Sequence, residues 1–211
     1  TGTDLDIRDY KNYWLKKNEV QNWPNKVWYD NPYFIANEII HSSDYDVVNG
    51  FMNAKYDFTP WLRASLRTGV DMYTEREIWR NSIGAYGGWD KKGYYEEQRK
   101  GGYSINNDII ISADKKFGDF SIDGFVGTTL YFYQDDVLNG KTSNGITIPG
   151  YYSLKASVDP AKVYSTIKKK QVNSLYGKAS GSWKSTLFLD ITARNDWSST
   201  LPAETRSYSV S

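Results

Sequence analysis

The chain has no cysteine and a single histidine, His41, among 211 residues. Without cysteine, neither a disulfide framework nor thiolate chemistry is open to it. One histidine excludes a multi-histidine zinc site, and the His-Ser-Ser-Asp setting of His41 predicts a solvated loop position. No apolar run approaches the roughly 20 residues of a membrane-spanning helix. Charge of one sign is also lacking: 26 basic against 25 acidic residues leave +1, so no strong field draws the chain to nucleic acid or to an anionic surface. There is no phosphate-binding loop, no His-Glu-x-x-His and no Gly-x-Ser-x-Gly. The chain is therefore expected to be no enzyme and to hold neither cofactor nor metal.

Aromatics are plentiful, with 18 Tyr, 8 Trp and 8 Phe. Six stretches alternate apolar and polar residues with a period of two, the mark of long strands. In 48–58, Val48, Gly50, Met52, Ala54, Tyr56 and Phe58 oppose Asn49, Phe51, Asn53, Lys55 and Asp57. In 61–73, Leu62, Ala64, Leu66, Val70 and Met72 oppose Arg63, Ser65, Arg67 and Asp71. The pattern recurs in 103–114 (Ile105, Ile109, Ile111), 120–133 (Ile122, Val126, Leu130), 173–183 (Leu175, Gly177, Ala179) and 187–196 (Leu187, Leu189, Ile191). A transmembrane β-strand needs about 9–11 residues, which these stretches supply. The mean hydropathy of −0.65 is no obstacle, because one face of a barrel wall meets water.

Connections alternate short and long. Thr59-Pro60, Lys116-Phe117-Gly118-Asp119 and Lys184-Ser185-Thr186 predict tight hairpins, whereas 74–102, 134–170 and the segment before 47 read as long loops. Outer-membrane barrels have this asymmetry, with short turns in the periplasm and long loops outside. Phe58, Trp61, Phe117, Phe120, Trp183 and Phe188 would then form an inner aromatic girdle. The loop aromatics have two readings: contact with a ligand, or packing of the loops onto one another. Asp135-Asp136 reads as a calcium or acid/base pair, or as solvated acids, and Lys168 to Lys170 as a solvated run. Arg63, Arg67, Asp71, Lys178, Asp190, Arg194 and Asp196 fall on the polar strand faces and are expected to line the lumen in cross-strand pairs.

Residues 193–202, Ala-Arg-Asn-Asp-Trp-Ser-Ser-Thr-Leu-Pro, closely resemble a signature of the SusC/RagA family of TonB-dependent outer-membrane transporters. Asn31-Pro32-Tyr33-Phe34 with Asn37-Glu38, Tyr56-Asp57-Phe58-Thr59-Pro60-Trp61-Leu62, Arg67-Thr68-Gly69-Val70-Asp71-Met72-Tyr73 and Val172-Asn173-Ser174-Leu175-Tyr176-Gly177 also resemble family segments, in family order. After Pro202 the chain departs from the pattern, running through Arg206-Ser207-Tyr208 directly to Ser211.

The resemblance implies an all-β, antiparallel transmembrane barrel segment: six to eight strands (the extra two in 31–40 and 206–211) of a large plugged barrel of the 22-stranded class. Over 1–211, residues 1–46 would be mainly extracellular loop, 47–133 and 171–211 barrel strands, and 134–170 an extracellular loop. The plug domain and TonB box would lie outside these residues, and a chain opening on Thr1 is expected to be processed or partial. The resemblance further implies uptake of oligosaccharides or peptides across the Gram-negative outer membrane, with a SusD-like lipoprotein lid, TonB and outer-membrane lipid as partners and no nucleic acid. Tyr73, Trp79, Trp89, Tyr131, Tyr133 and Trp197, near the outer strand ends, are the expected substrate contacts. Two other readings stay open: a small eight-stranded adhesin or structural barrel, and a soluble all-β carbohydrate-binding module.

Overall fold

The computed structural model of the chain describes residues 5–87, 91–184, 186–202 and 207–210. A turn of 3-10 helix (Ile7–Tyr10) leads into a ribbon of β1 (Trp14–Lys16) and β2 (Val20–Gln21), then helix α1 (Pro32–Glu38). The strands β3 (Ile39–Thr59), β4 (Leu62–Ile83), β5 (Lys92–Phe117), β6 (Phe120–Ile146), β7 (Ser157–Trp183), β8 (Leu187–Ser198) and β9 (Ser207–Val210) follow. These last seven form one antiparallel meander in which each strand pairs with its neighbours in sequence. The three expected hairpins are present. Gly118 (φ 57°) and Lys184 (φ 52°) supply the left-handed backbone that two of the tight turns require.

Three expectations are corrected. The spans 74–102 and 134–170 are strand over most of their length, since β4 runs to Ile83, β5 starts at Lys92, β6 ends at Ile146 and β7 starts at Ser157. His41 and the run Lys168 to Lys170 accordingly lie in strands, not loops. Residues 31–40 add no strand: Asn31 caps α1, and β3 begins at Ile39. Alternation fades past the apolar stretches because both faces there carry polar groups. Ion pairs such as Lys100 to Glu75 and Glu77, and Arg76 to Glu97, join side chains across β4 and β5 instead.

The chain divides into two compact units. The first gathers the stretch up to Asp46, Thr74–Lys100 and Asp136–Thr166. Its core holds Phe34, Trp23, Ala85, Tyr95, Ile146 and Ala156. Trp14 and Tyr13 pack edge-on against the Phe34 ring at 5.2 and 6.4 Å, and Tyr10 against Trp23 at 5.1 Å. Buried Asn31 ties the segment together. Its Oδ1 accepts from the Tyr33 amide at 2.8 Å, while Nδ2 donates to the carbonyls of Tyr10 and Asn22, both at 2.9 Å. Pro32 follows at the first helical position, where a missing N–H costs nothing. Buried Gln21 donates to Asp30 and to the Gly84 carbonyl, and Asp30 accepts from the amides of Tyr86 and Gly87. These aromatics therefore follow the packing reading.

The second unit comprises Val47–Tyr73, Gly101–Asp135 and the stretch from Ile167 onward, with all three tight hairpins. It contains every apolar stretch identified in the sequence. The unit boundaries at 46/47, 73/74 and 100/101 fall where those stretches end.

Candidate functional site

In the hairpin unit, side-chain contacts assign residues to faces. Across β3 and β4, Arg63 Nε donates to Asp57 at 2.5 Å. Ser104 donates to Asp71 at 3.3 Å, and Thr129 to Asp108 at 2.6 Å. Lys178 stands opposite Thr192, and Ser180 opposite Asp190 at a 2.5 Å hydrogen bond, with Lys178 3.5 Å from the same carboxylate. Arg194 Nε donates to both carboxylate oxygens of Asp196 at 3.0 and 2.9 Å, and its Nη2 donates to the Ser174 hydroxyl at 3.3 Å. The polar sets thus meet on one face, across strands for Arg63, Asp71, Lys178, Asp190 and Arg194 and along β8 for Asp196. Arg67, also on this face, has no side-chain partner among the described residues.

Two glycines on this face let aromatic rings lie flat across the sheet. A Cβ on Gly102 would stand 2.7 Å from the Tyr73 ring, 2.9 Å from the Gln134 carbonyl and 3.0 Å from Asp135. Tyr73 thus crosses β5 through the space over Gly102, and its hydroxyl donates to Asp135 on β6. A Cβ on Gly127 would likewise meet the Tyr176 ring at 2.7 Å, and Arg194 sits over that ring at 5.6 Å. Asp135 is thereby engaged by Tyr73, which its pairing with Asp136 in sequence did not suggest. Tyr131 and Tyr133 alternate in step with Asp135 on the same strand and are half-buried.

In the other unit, Trp79 stacks on His41 with ring centroids 4.6 Å apart and planes at 10°. His41 Nε2 is 3.7 Å from Glu77, Lys100 bridges Glu75 at 3.1 Å and Glu77 at 2.8 Å, and Ser43 donates to Glu75 at 3.3 Å. A second cluster centres on Glu97. It accepts from Arg76 at 3.0 Å, Arg99 at 2.9 Å and Tyr95 Oη at 2.9 Å. Burial pushes the Glu97 carboxyl up, but the hydrogen bonds from Arg76, Arg99 and Tyr95 outweigh it and hold the group at about 2.

Trp197 and Phe188 do not lie where the sequence reading put them. The β7–β8 register is unbroken, pairing Trp197 with Asn173 and Phe188 with Ser182. Trp197 therefore shares a face with Leu187, Leu189 and Ile191, and Phe188 shares the opposite face with Asp190 and Arg194. Adjacent residues on a strand point oppositely, so the aromatic after Asp196 and the one after Leu187 each fall on the unexpected side. Trp89 lies outside the described residues. Asn53 and Lys55, read from the sequence as the polar side of 48–58, join this face, and so does Tyr176, which only its parity within the alternation signalled.

The apolar face is a separate feature. Met52, Tyr56 and Phe58 of β3, Ile109 and Ile111 of β5, Ile122 and Val126 of β6, and Leu187, Leu189 and Ile191 of β8 are all exposed. Near the hairpins, Phe120 stacks on Trp183 at 6.4 Å, and Lys115 extends over the rings of Trp61 and Phe117 at 4.7 and 5.0 Å. Aromatic rings with a lysine stem folded over them suit a membrane–water boundary. No helix among the described residues is long and apolar enough to cross a membrane.

No family model matches the chain, and no curated protein does. Solved structures do. The RagAB peptide transporter superposes with a TM-score of 0.76 at 17% identity, over 87% of this chain and 22% of that one. The RagAB peptide importer in its open-open state gives 0.72 at 17% identity over 88% and 22%, and in its closed-closed state 0.72 at 16% over the same shares. The chain spans about a fifth of the length of these neighbours, which are transporters rather than enzymes. It has the fold of a run of strands from the RagA barrel, the SusC-like fold that the signature at 193–202 resembles.

Proposed function

We propose that the chain is a barrel portion of an outer-membrane importer of the SusC/RagA type, taking up peptides or oligosaccharides with a SusD-like surface lipoprotein and drawing energy through TonB. One observation carries the reading: exposed apolar faces of about 10 residues per strand, the length a tilted strand needs to cross the hydrocarbon, backed by a polar face of cross-strand pairs. The RagAB neighbours are described as a peptide transporter and a peptide importer, and peptides are one of the two substrate classes of this reading. A soluble module fits poorly. No second sheet among the described residues covers Ile109 and Ile111 or Leu187, Leu189 and Ile191, and these remain 42% to 65% exposed. The long strand ends and the segment before β3 would then be extracellular.

Tyr73, Trp79, Tyr131 and Tyr133 are the substrate contacts of this reading, and Trp197 becomes a membrane-boundary residue. The test is uptake of labelled peptides and oligosaccharides by cells carrying the full-length protein, with and without the lipoprotein partner and TonB. Import that needs both supports the reading; import independent of TonB, or none of either class, sinks it. Trp79→Ala with Tyr133→Ala is expected to lower uptake several-fold while the amount of folded barrel stays constant.

A further inference from the structure

Most charges on the polar face of the hairpin unit are matched. Arg63 meets Asp57, Lys178 meets Asp190 and Arg194 meets Asp196. Asp71 and Asp108 are engaged by Ser104 and by Thr129 with Asn106. Several cations are not, among them Lys116 near the β5–β6 turn, and two of them, Lys55 and Arg67, have no hydrogen bond, ion pair or ring contact among the described residues. These two are not scattered. Both line one concave space of about 270 Å³ with Asn53, Ser65, Asp108 and Tyr176.

The strands bring them together. The Arg63–Asp57 pair closes the β3–β4 hairpin, and stepping away from the turn by two residues at a time sets Lys55 beside Ser65 and Asn53 beside Arg67. Tyr176 on β7 closes one side, its ring laid over Gly127. Asp108, the one acid in the lining, already accepts from Thr129 at 2.6 Å and Asn106 at 3.2 Å. The space therefore offers a guanidinium fork, an ammonium, an amide and a hydroxyl, with two cations set against the single carboxylate of Asp108. A planar guanidinium with a second cation beside it fits a carboxylate, which it takes through paired charge-assisted hydrogen bonds. A space of this size takes one amino-acid side chain or one sugar ring, not a whole oligomer.

We propose that Arg67 and Lys55, with Asn53 and Ser65, form a carboxylate subsite on the lumen face that favours acidic oligomers: peptides bearing Asp or Glu, or oligosaccharides bearing uronic acids. The inference rests on the importer reading, and it deepens that reading by naming a substrate class. The site discriminates by charge: a carboxylate gains charge-assisted contacts with both exposed cations that a neutral analogue does not make.

The test uses the purified full-length protein in detergent micelles. Binding is measured by fluorescence anisotropy with a dye-labelled Glu-containing hexapeptide and its Gln counterpart, and with a uronate oligomer and its carboxyl-reduced form. The expected result is tighter binding of the acidic member of at least one pair. Arg67→Gln with Lys55→Gln should weaken that member about tenfold, one lost charge-assisted contact, and leave the neutral member unchanged. Arg67→Lys should retain part of the preference, so a misfolded double variant does not decide the matter. Three results overturn the inference: no acidic preference in the parent protein, an unchanged preference in the double variant, or a double variant that loses thermal stability with binding intact. The last would mean that an acid from elsewhere in the full-length protein fills the site. Uptake by cells separates the two claims, because import that persists without acidic preference leaves the importer reading standing while this one fails.

Discussion

Gly102 shows how much of this sheet rests on one absent methyl group. The Tyr73 ring, the Gln134 carbonyl and Asp135 all stand within 3.0 Å of where its Cβ would be. Gly102→Ala must displace backbone as well as a ring, and is expected to destabilise by about 1–3 kcal/mol. Gly69, with nothing within 4 Å of its Cβ position, is the control. Gly69→Ala should be neutral to within about 1 kcal/mol. The temperature at which the full-length barrel loses its compact, fast-migrating gel band reads both variants. At Glu97 the sign of a pH effect follows from the folded value of about 2 against an unfolded value near 4.3. A depressed carboxyl contributes stability that is complete above the unfolded value and lost as pH falls through the folded one. Arg76 and Arg99 are 47% and 66% exposed, so solvent screens the cluster. Glu97→Gln is expected to cost about 1 kcal/mol at pH 6. The gap between parent and variant in thermal stability should shrink between pH 4 and pH 2; a gap that grows on acidification would contradict the assignment.

At the scale of elements, strands were legible where one face is apolar and invisible where both are wet. The stretches 48–58, 61–73, 103–114, 120–133, 173–183 and 187–196 are all strand but for hairpin residues such as Trp61. Their continuations through Thr74–Ile83 and Lys92–Lys100 are held by ion pairs and by the backbone ladder, and neither leaves a period-two signature. Helix α1 went unread because seven residues are too few for a helical period to emerge, although Asn31-Pro32 is a start signal. The polar face was legible through Arg63, Asp71, Lys178, Asp190, Arg194 and Asp196. The partnerless state of Arg67 and Lys55 was not, since pairing across strands depends on register. Asn31 is the element-scale test. Asn31→Ala removes the α1 cap and two ties to the carbonyls of Tyr10 and Asn22. The expected cost is about 1–3 kcal/mol, seen as faster proteolysis within residues 5–31. Asn31→Asp, which keeps the cap but not the two donated bonds, should fall between. Cleavage at the parent's rate in the alanine variant would show that the motif does not hold this segment.

For the whole molecule, everything depends on which way the two sheet faces point. The chain contributes no cysteine, so single cysteines introduced into it can carry a spin label at chosen positions. Ile111 and Ile191 belong to the apolar face and are 52% and 59% exposed, while their neighbours Ser112 and Thr192 belong to the polar face. The decisive measurement is collision of the label with oxygen, which concentrates in lipid, and with a water-soluble nickel chelate, for the full-length protein in bilayers. Labels at Ile111→Cys and Ile191→Cys should be open to oxygen and shielded from nickel, and those at Ser112→Cys and Thr192→Cys should show the reverse. Equal access to nickel at all four positions would mean that neither face meets lipid, and would end the reading of this chain as a membrane-barrel wall.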